Sequence, residues 1–257
     1  MLIPEISNMF STYRLALEKI ENGLDERFQK AVSAIAETRQ HVIICGMGKS
    51  GLVGRKIAAT FSSTGTAAIF LHPAEAIHGD LGMVRENSVV ILISNSGETE
   101  EVVKLLPALK RLNVKIIALL GAVESTIANI SDIILDVSID REACPLNLAP
   151  TTSTLTTLVM GDALAIALME QSGFKPEDFA ANHPGGRLGQ RLLSRVKDRM
   201  VHAKLPLVYA NMPMSEVIVI MTEARLGLAL VQKDKKLEGI ITDGDLRRML
   251  VTGTDLS

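Results

Sequence analysis

Tryptophan is absent from this chain, and two tyrosines and six phenylalanines bring the aromatic share to only 3%. That leaves little material for the stacking platforms that bind single-stranded nucleic acid. Cysteine is nearly absent as well. Cys45 and Cys144 stand far apart in the sequence, which excludes a disulfide framework and a cysteine-rich zinc site and fits a reducing compartment. There is little excess charge of either sign. Lys and Arg total 27 against 29 Asp and Glu, a net charge of −2, so a basic nucleic-acid-binding surface is not expected. The apolar runs, such as Ser88–Ser94, fall well short of the ~18 residues of a membrane span. The first residues, Met1-Leu-Ile-Pro-Glu-Ile6, carry no basic region of the kind that opens a signal peptide. These absences lead to the expectation of a cytoplasmic protein that binds neither nucleic acid nor membrane.

What is there is an ordinary globular composition, 47% hydrophobic and 22% charged over 257 residues. At ~150 residues per domain this is one large domain or one domain with an appendage. Residues 5–38 carry Leu15, Ile20, Leu24, Phe28, Val32 and Ile35 at helical spacing, with a break near Gly23. Short apolar runs then alternate with helical stretches. Strands are read at 41–46, 67–71, 89–94, 115–120 and 133–137. Helices are read at 50–63, 73–77, 99–112 and 125–129. This alternation predicts βαβ units and a doubly wound five-stranded parallel sheet, α/β in class. Ligands in such folds bind at the C-terminal ends of the strands. A long helix is read over 151–172, with Thr151, Thr152 and Ser153 as N-cap residues. Residues 174–192 carry Gly, Pro and Asn and read as a tail or linker. The basic stretch from Arg187 to Lys204 reads as a solvated face. Residues 205–257 read as a separate β–α–β–β–α unit.

Four clusters carry chemistry. Gly46-Met-Gly-Lys-Ser-Gly51 follows a strand and opens a helix. The dinucleotide fingerprint would need an acid about 20 positions on, where the chain reads Phe70-Leu-His72. A phosphate loop of the NTPase type would need glycine at position 43, which is Ile43. What remains is a glycine-rich turn that presents Lys49 at a helix N-terminus, where an ammonium can meet an anion. Ser94-Asn-Ser-Gly-Glu-Thr99 follows another strand. Ser94, Ser96 and Thr99 there suit a phosphate, or serve as plain helix caps. His72 and His78 lie six apart and do not share a helix face, which excludes a helix-borne metal pair. Glu142 follows the fifth strand, Cys144 before Pro145 reads as a packed thiol, and His183 lies in an irregular segment.

Together these residues resemble a sugar isomerase (SIS) domain. The strings Gly46–Gly51, Leu71–Met83, Glu142-Ala-Cys-Pro145, Ala149–Thr154, Gly161-Asp-Ala-Leu-Ala165 and His183-Pro-Gly-Gly186 resemble the arabinose 5-phosphate isomerases. Thr242-Asp-Gly-Asp-Leu-Arg-Arg248 resembles one cystathionine-β-synthase (CBS) repeat, a module usually found in pairs. The domains expected are N-terminal helices over 1–39, an SIS domain over 40–186 with a flavodoxin-like three-layer α/β/α fold, a linker over 187–204, and a single α+β CBS repeat over 205–257.

The resemblance implies interconversion of D-ribulose 5-phosphate and D-arabinose 5-phosphate, feeding synthesis of the eight-carbon sugar Kdo. It implies catalytic roles for Lys49, Glu101, Glu142 and His183 and substrate contacts at Gly65, Thr66 and His78. It also implies a chemistry that requires no cofactor, with zinc binding at His72. The partners implied are a sugar phosphate, further copies in a homotetramer, and a nucleotide or nucleotide sugar at the CBS repeat. Moving a carbonyl between C1 and C2 needs a base, a stabilised enediolate and a proton route between the two oxygens. Glu142 is favoured over Glu101 as the base. Lys49 serves the enediolate or the phosphate, and His183 shuttles protons or opens the ring, with a neighbouring copy as its destination. The alternatives are a non-catalytic phosphosugar sensor and an SIS isomerase of another sugar phosphate.

Overall fold

The computed structural model describes residues 3–186, 189 and 194–251. The chain divides into two units, Met1–Leu193 and Ser194–Ser257. The expected linker over 187–204 lies partly outside the described residues; of the described part, Gly189 belongs to the first unit and residues 194–204 to the second.

In the first unit two helices, α1 (Ile3–Asn22) and α2 (Glu26–Glu37), precede the sheet. The break falls at Gly23, and Asp25 caps α2 by accepting the Arg27 N–H at 2.8 Å. The strands are β1 (Val42–Gly46), β2 (Ala68–Leu71), β3 (Val89–Ser94), β4 (Lys115–Leu120) and β5 (Ile133–Asp136). All pair in parallel, in the order β2-β1-β3-β4-β5. This is the expected doubly wound sheet.

Alternate residues of the strands enter two separate cores. Ile44, Ile91, Ile93, Ile117 and Leu119 face one, with α2, α3 (Gly48–Ser63) and α8 (Thr152–Ser172). Ile43, Cys45, Val90, Leu92 and Ala118 face the other. That second layer holds α4 (Pro73–Ile77), α5 (Glu100–Val103), α6 (Leu106–Arg111) and α7 (Thr126–Ile130). Strands covered on both faces are apolar throughout, which is why they read as continuous runs. The single helix expected over 99–112 is two short ones. Pro107 supplies no N–H and would crowd the Val103 carbonyl, so a continuous helix is interrupted.

Helix α8 is long and apolar enough to cross a membrane by length and composition, and half of its apolar window is buried in the unit. It packs against α1, α2 and α3. Its close approach to α3 requires Gly161, where a Cβ would lie 2.4 Å from Ile57. Helix α9 (Pro176–Asn182) follows, inside the segment expected to be a tail.

In the second unit α10 (Val196–Arg199) precedes β6 (Leu207–Tyr209), α11 (Met214–Ala224), β7 (Leu228–Lys233), β8 (Lys236–Thr242) and α12 (Asp243–Val251). The sheet order is β6-β7-β8, parallel then antiparallel. A small core of Val208, Val217, Met221 and Ala229 holds it together.

Candidate active site

In a sheet ordered 2-1-3-4-5 the connections leave β1 and β3 toward opposite faces, and a crevice opens beyond their C-terminal ends. The turns after β1 and β3 are the two glycine-bearing turns of the sequence. A cleft of about 290 Å³ lies there, lined by Lys49 and Ser50 from the first, Asn95, Ser96 and Thr99 from the second, and Pro150, Ser153, Thr154 and Thr157 from the start of α8. Lys49 is exposed, in the first turn of the sixteen-residue α3. Met47, Val53 and Pro150 add apolar wall, and the lysine, amide and hydroxyls suit a ligand rich in hydroxyls and anionic oxygen.

The turn after β3 is held from within. Ser94 is buried, and its hydroxyl accepts the Gly97 N–H at 3.0 Å and pairs with the Thr99 hydroxyl at 2.8 Å. Ser94 thus shapes the turn from beneath, while Ser96 and Thr99 reach the cleft. The turn is also pinned to α7. Glu98 accepts the Thr126 N–H at 2.6 Å, and the Ile127 N–H reaches the Gly97 carbonyl at 3.1 Å. The Thr126 N–H holds the Glu98 carboxyl below its usual range.

Glu142 sits behind the cleft wall, bonded to Ser153 of its lining. It is 8% exposed and is not among the residues lining the cleft. Its Oε2 accepts the Thr151 N–H at 2.8 Å, the Thr151 hydroxyl at 3.0 Å and the Ser153 N–H at 3.2 Å. The Ser153 hydroxyl donates to Oε1. Burial pushes this carboxyl up, but the bonds from Ser153 and Thr151 outweigh it and hold the group below its usual range. The hydroxyls read as caps of α8 do not cap it. Thr151 makes no side-chain cap bond, and Glu142 takes the helix N–H groups instead. Glu101 is half-buried in the first turn of α5. It accepts no side-chain hydrogen bond among the described residues, feels the charge of Lys104, and like Glu142 is not among the residues lining the cleft.

His72 and His78 follow β2, at the same edge of the sheet as Lys49. The His72 Nδ1 is buried and has no hydrogen-bond partner, as a metal donor would be. Among the described residues, however, no group of three His, Cys, Asp or Glu could hold a metal ion. His72 is one donor, and the described residues place no completing ligand set beside it.

The remaining expected residues lie at the other edge. Gly65 and Thr66 precede β2 and line a separate cleft of about 530 Å³ together with Arg39, His41 and Gln171. Phe174 packs against Gly65, and Asn182 donates to the Ser63 carbonyl at 3.3 Å. The adjacent His183 stacks on Phe179, ring centroids 4.0 Å apart, with Nδ1 2.9 Å from the Phe179 carbonyl. The single chain therefore brings together Lys49, Ser96 and Thr99. It keeps Gly65, Thr66 and His183 apart from them. Sequence reasoning missed Asn95, Ser153, Thr154 and Thr157 as lining residues. The run Thr151-Thr-Ser-Thr-Leu-Thr-Thr157 was their signal, an unusual density of hydroxyls for a core helix.

Comparison with known proteins places this geometry. Residues 34–167 match the SIS domain and residues 196–252 the CBS domain. A probable arabinose 5-phosphate isomerase of Haemophilus influenzae is 49% identical over 235 residues, 91% of this chain and 69% of the relative. Arabinose 5-phosphate isomerase KdsD of Pseudomonas aeruginosa is 50% identical over 245 residues, 95% of this chain and 75% of the relative. Among solved structures, Escherichia coli CFT073 c3406 in complex with arabinose 5-phosphate superposes with a TM-score of 0.69 at 40% identity, covering 71% of this chain and 97% of that one. An SIS domain with its cleft at the β1/β3 switch point, followed by a CBS domain and matched along nearly its whole length by these relatives, belongs to the arabinose 5-phosphate isomerase family.

Proposed function

We propose that this chain interconverts D-ribulose 5-phosphate and D-arabinose 5-phosphate through an enediolate, as a source of pentose phosphate for Kdo. The observation that carries the reading is the switch-point cleft, where Lys49 faces the Ser96–Thr99 turn. The solved relative c3406 is in complex with arabinose 5-phosphate, which supports the substrate class. Ser96 and Thr99 donate hydroxyl protons to phosphate oxygens, and Lys49 supplies the positive charge that the phosphate or the enediolate oxygen requires.

The base takes a proton from C1 of the ketose and returns it to C2, so no atom is gained or lost. Glu101 is assigned this role because its lone pairs are not engaged by other side chains. His183 moves the proton between O1 and O2 and comes from a second copy, because its own chain holds it at the far edge. Oligomerisation is supported by the face that α3 and α8 present, where Leu52, Val159 and Ile166 are 61%, 37% and 57% exposed. A helix apolar on all sides normally has all its sides covered, and a homotetramer would cover this one. The sensor alternative is less well supported, because α1 and α2 pack on α8 rather than forming a separate reading head.

The second unit is assigned a nucleotide or nucleotide sugar as regulatory ligand, to be read as a rise in melting temperature on addition. We place the protein in the cytoplasm, where its free thiols Cys45 and Cys144 stay reduced. The chemistry assigned here requires no cofactor. The test is turnover of D-arabinose 5-phosphate with and without a chelator. Equal rates support the reading. A folded protein that binds the sugar phosphate without converting it would overturn it in favour of a sensor.

A further inference from the structure

A carboxylate offers about four lone-pair positions over its two oxygens. At Glu142 four donors from Thr151 and Ser153 converge on the carboxylate, three on Oε2 and one on Oε1. Two of these donors are backbone N–H groups at the start of α8, a helix of 21 residues. Such groups have no partner within the helix, and an anion placed there is stabilised by the helix dipole as well. The first two turns of α8 carry Ser153, Thr154 and Thr157 to the cleft. Glu142 itself is anchored, its N–H donating to Asn147 Oδ1 at 2.6 Å. A general base needs a lone pair directed at the carbon-bound proton; here Oε2 is fully engaged, Oε1 is held by the Ser153 hydroxyl, and the carboxylate is buried and does not line the cleft.

We propose that Glu142 is a positioning residue for the isomerisation: its carboxylate caps α8 and so fixes Ser153, Thr154 and Thr157 against the sugar, without itself taking the substrate proton. This rests on the isomerase reading, and wild-type turnover of arabinose 5-phosphate is the control that tests that reading separately. If wild-type protein is inert, both fail together.

Two variants of the full chain test the proposal. Glu142→Gln keeps an acceptor for the helix N–H groups and removes the charge. Thr151→Val removes one donor and leaves the carboxylate. Removing a donor raises the carboxyl's titration, because the ionised form loses a bond. The expected result for both variants is a KM for arabinose 5-phosphate raised about three- to thirty-fold, kcat within about ten-fold of wild type, and an unmoved acidic limb in the kcat–pH profile. The proposal is overturned if Glu142→Gln loses kcat by about 10²-fold or more at unchanged KM. It is also overturned if Thr151→Val moves the acidic limb to higher pH, since Glu142 would then be the titrating base. Unchanged KM and kcat in both variants would overturn it too, because the cap would then be immaterial to the cleft. Thr151→Val keeps the question answerable if Glu142→Gln fails to fold.

Discussion

Asn182 donates to the carbonyl of Ser63 at the end of α3, while Lys49 stands at the beginning of the same helix. Fourteen residues at 1.5 Å each set the two about 21 Å apart along the axis. His183, next to Asn182, therefore does not reach the cleft that its own chain builds around Lys49. If the two act on one substrate, they come from different copies.

Mixed assemblies of Lys49→Ala and His183→Ala chains accordingly regain activity. With random exchange, roughly one site in four has an intact lysine and an intact histidine, so about a quarter of wild-type activity is expected. Each variant alone is strongly impaired. Exchange is verified by mass spectrometry of differently tagged chains. Verified mixed assemblies with no recovery would exclude a shared site.

The turn after β3 that lines the cleft depends on Gly97 having no side chain. Its φ is +67°, and a Cβ would lie 2.0 Å from the Ser125 hydroxyl oxygen. Gly97→Ala must open the seam between this turn and α7, breaking the bond from Ile127 N–H to the Gly97 carbonyl. The expected effects are a loss of about 2 kcal/mol in stability and a KM raised about ten-fold or more. Melting and steady-state kinetics read both. A wild-type KM would show that the turn does not hold the substrate.

The two thiols are predicted to differ sharply. Cys45 lies inside β1, and burial pushes its thiol up to about 12. Cys144, read from the sequence as an ordinary packed thiol, has its Sγ 3.1 Å from each of the Leu148 and Ala149 N–H groups. The Ala149 and Leu148 N–H groups stabilise the thiolate and lower its titration. At pH 8 iodoacetamide modifies Cys144 readily and leaves Cys45 untouched in the folded protein. Peptide mapping after a timed pulse checks this, and equal labelling would contradict it.

The fold was legible because its signals are local. The fully buried strands β1 and β3 read as uninterrupted apolar runs, and Gly23, Gly46 and Gly97 mark turns that are there. The turns at Lys49 and Ser96 were legible for the same reason, since a strand, a glycine and a hydroxyl stand in sequence order. The surroundings of Glu142 were not. Its four donors come from nine and eleven residues further along, and no periodicity links a loop carboxylate to the first turn of a later helix. Nor could sequence order show that Gly65, Thr66 and His183 lie at the edge opposite Lys49. That follows only from the direction of β2 and α3 in the folded sheet. The break at Pro107 was readable in principle, because proline within an expected helix displaces its own partner carbonyl.

The capped carboxylate at Glu142 also predicts how stability depends on pH. Its folded titration lies below the usual carboxylate range, while in the unfolded chain it stays near about 4.3. A group depressed by folding contributes stability that is fully present above its unfolded value and is lost as pH falls through its folded value. The contribution is therefore complete above about pH 5 and declines below it. Glu142→Gln carries no titrating group, so it lacks this component at every pH. Wild type is expected to melt higher than Glu142→Gln at pH 7, with the gap narrowing steadily below about pH 5. The subtraction removes Asp25, Glu98 and Asp245, whose carboxyls are also held low by hydrogen bonds and are common to both proteins. A gap that stays constant from pH 7 to 4 would mean that Glu142 is not held as the ionised cap of α8. A gap that widens on acidification would mean that folding raises its titration rather than lowering it, as burial without the four donors would do.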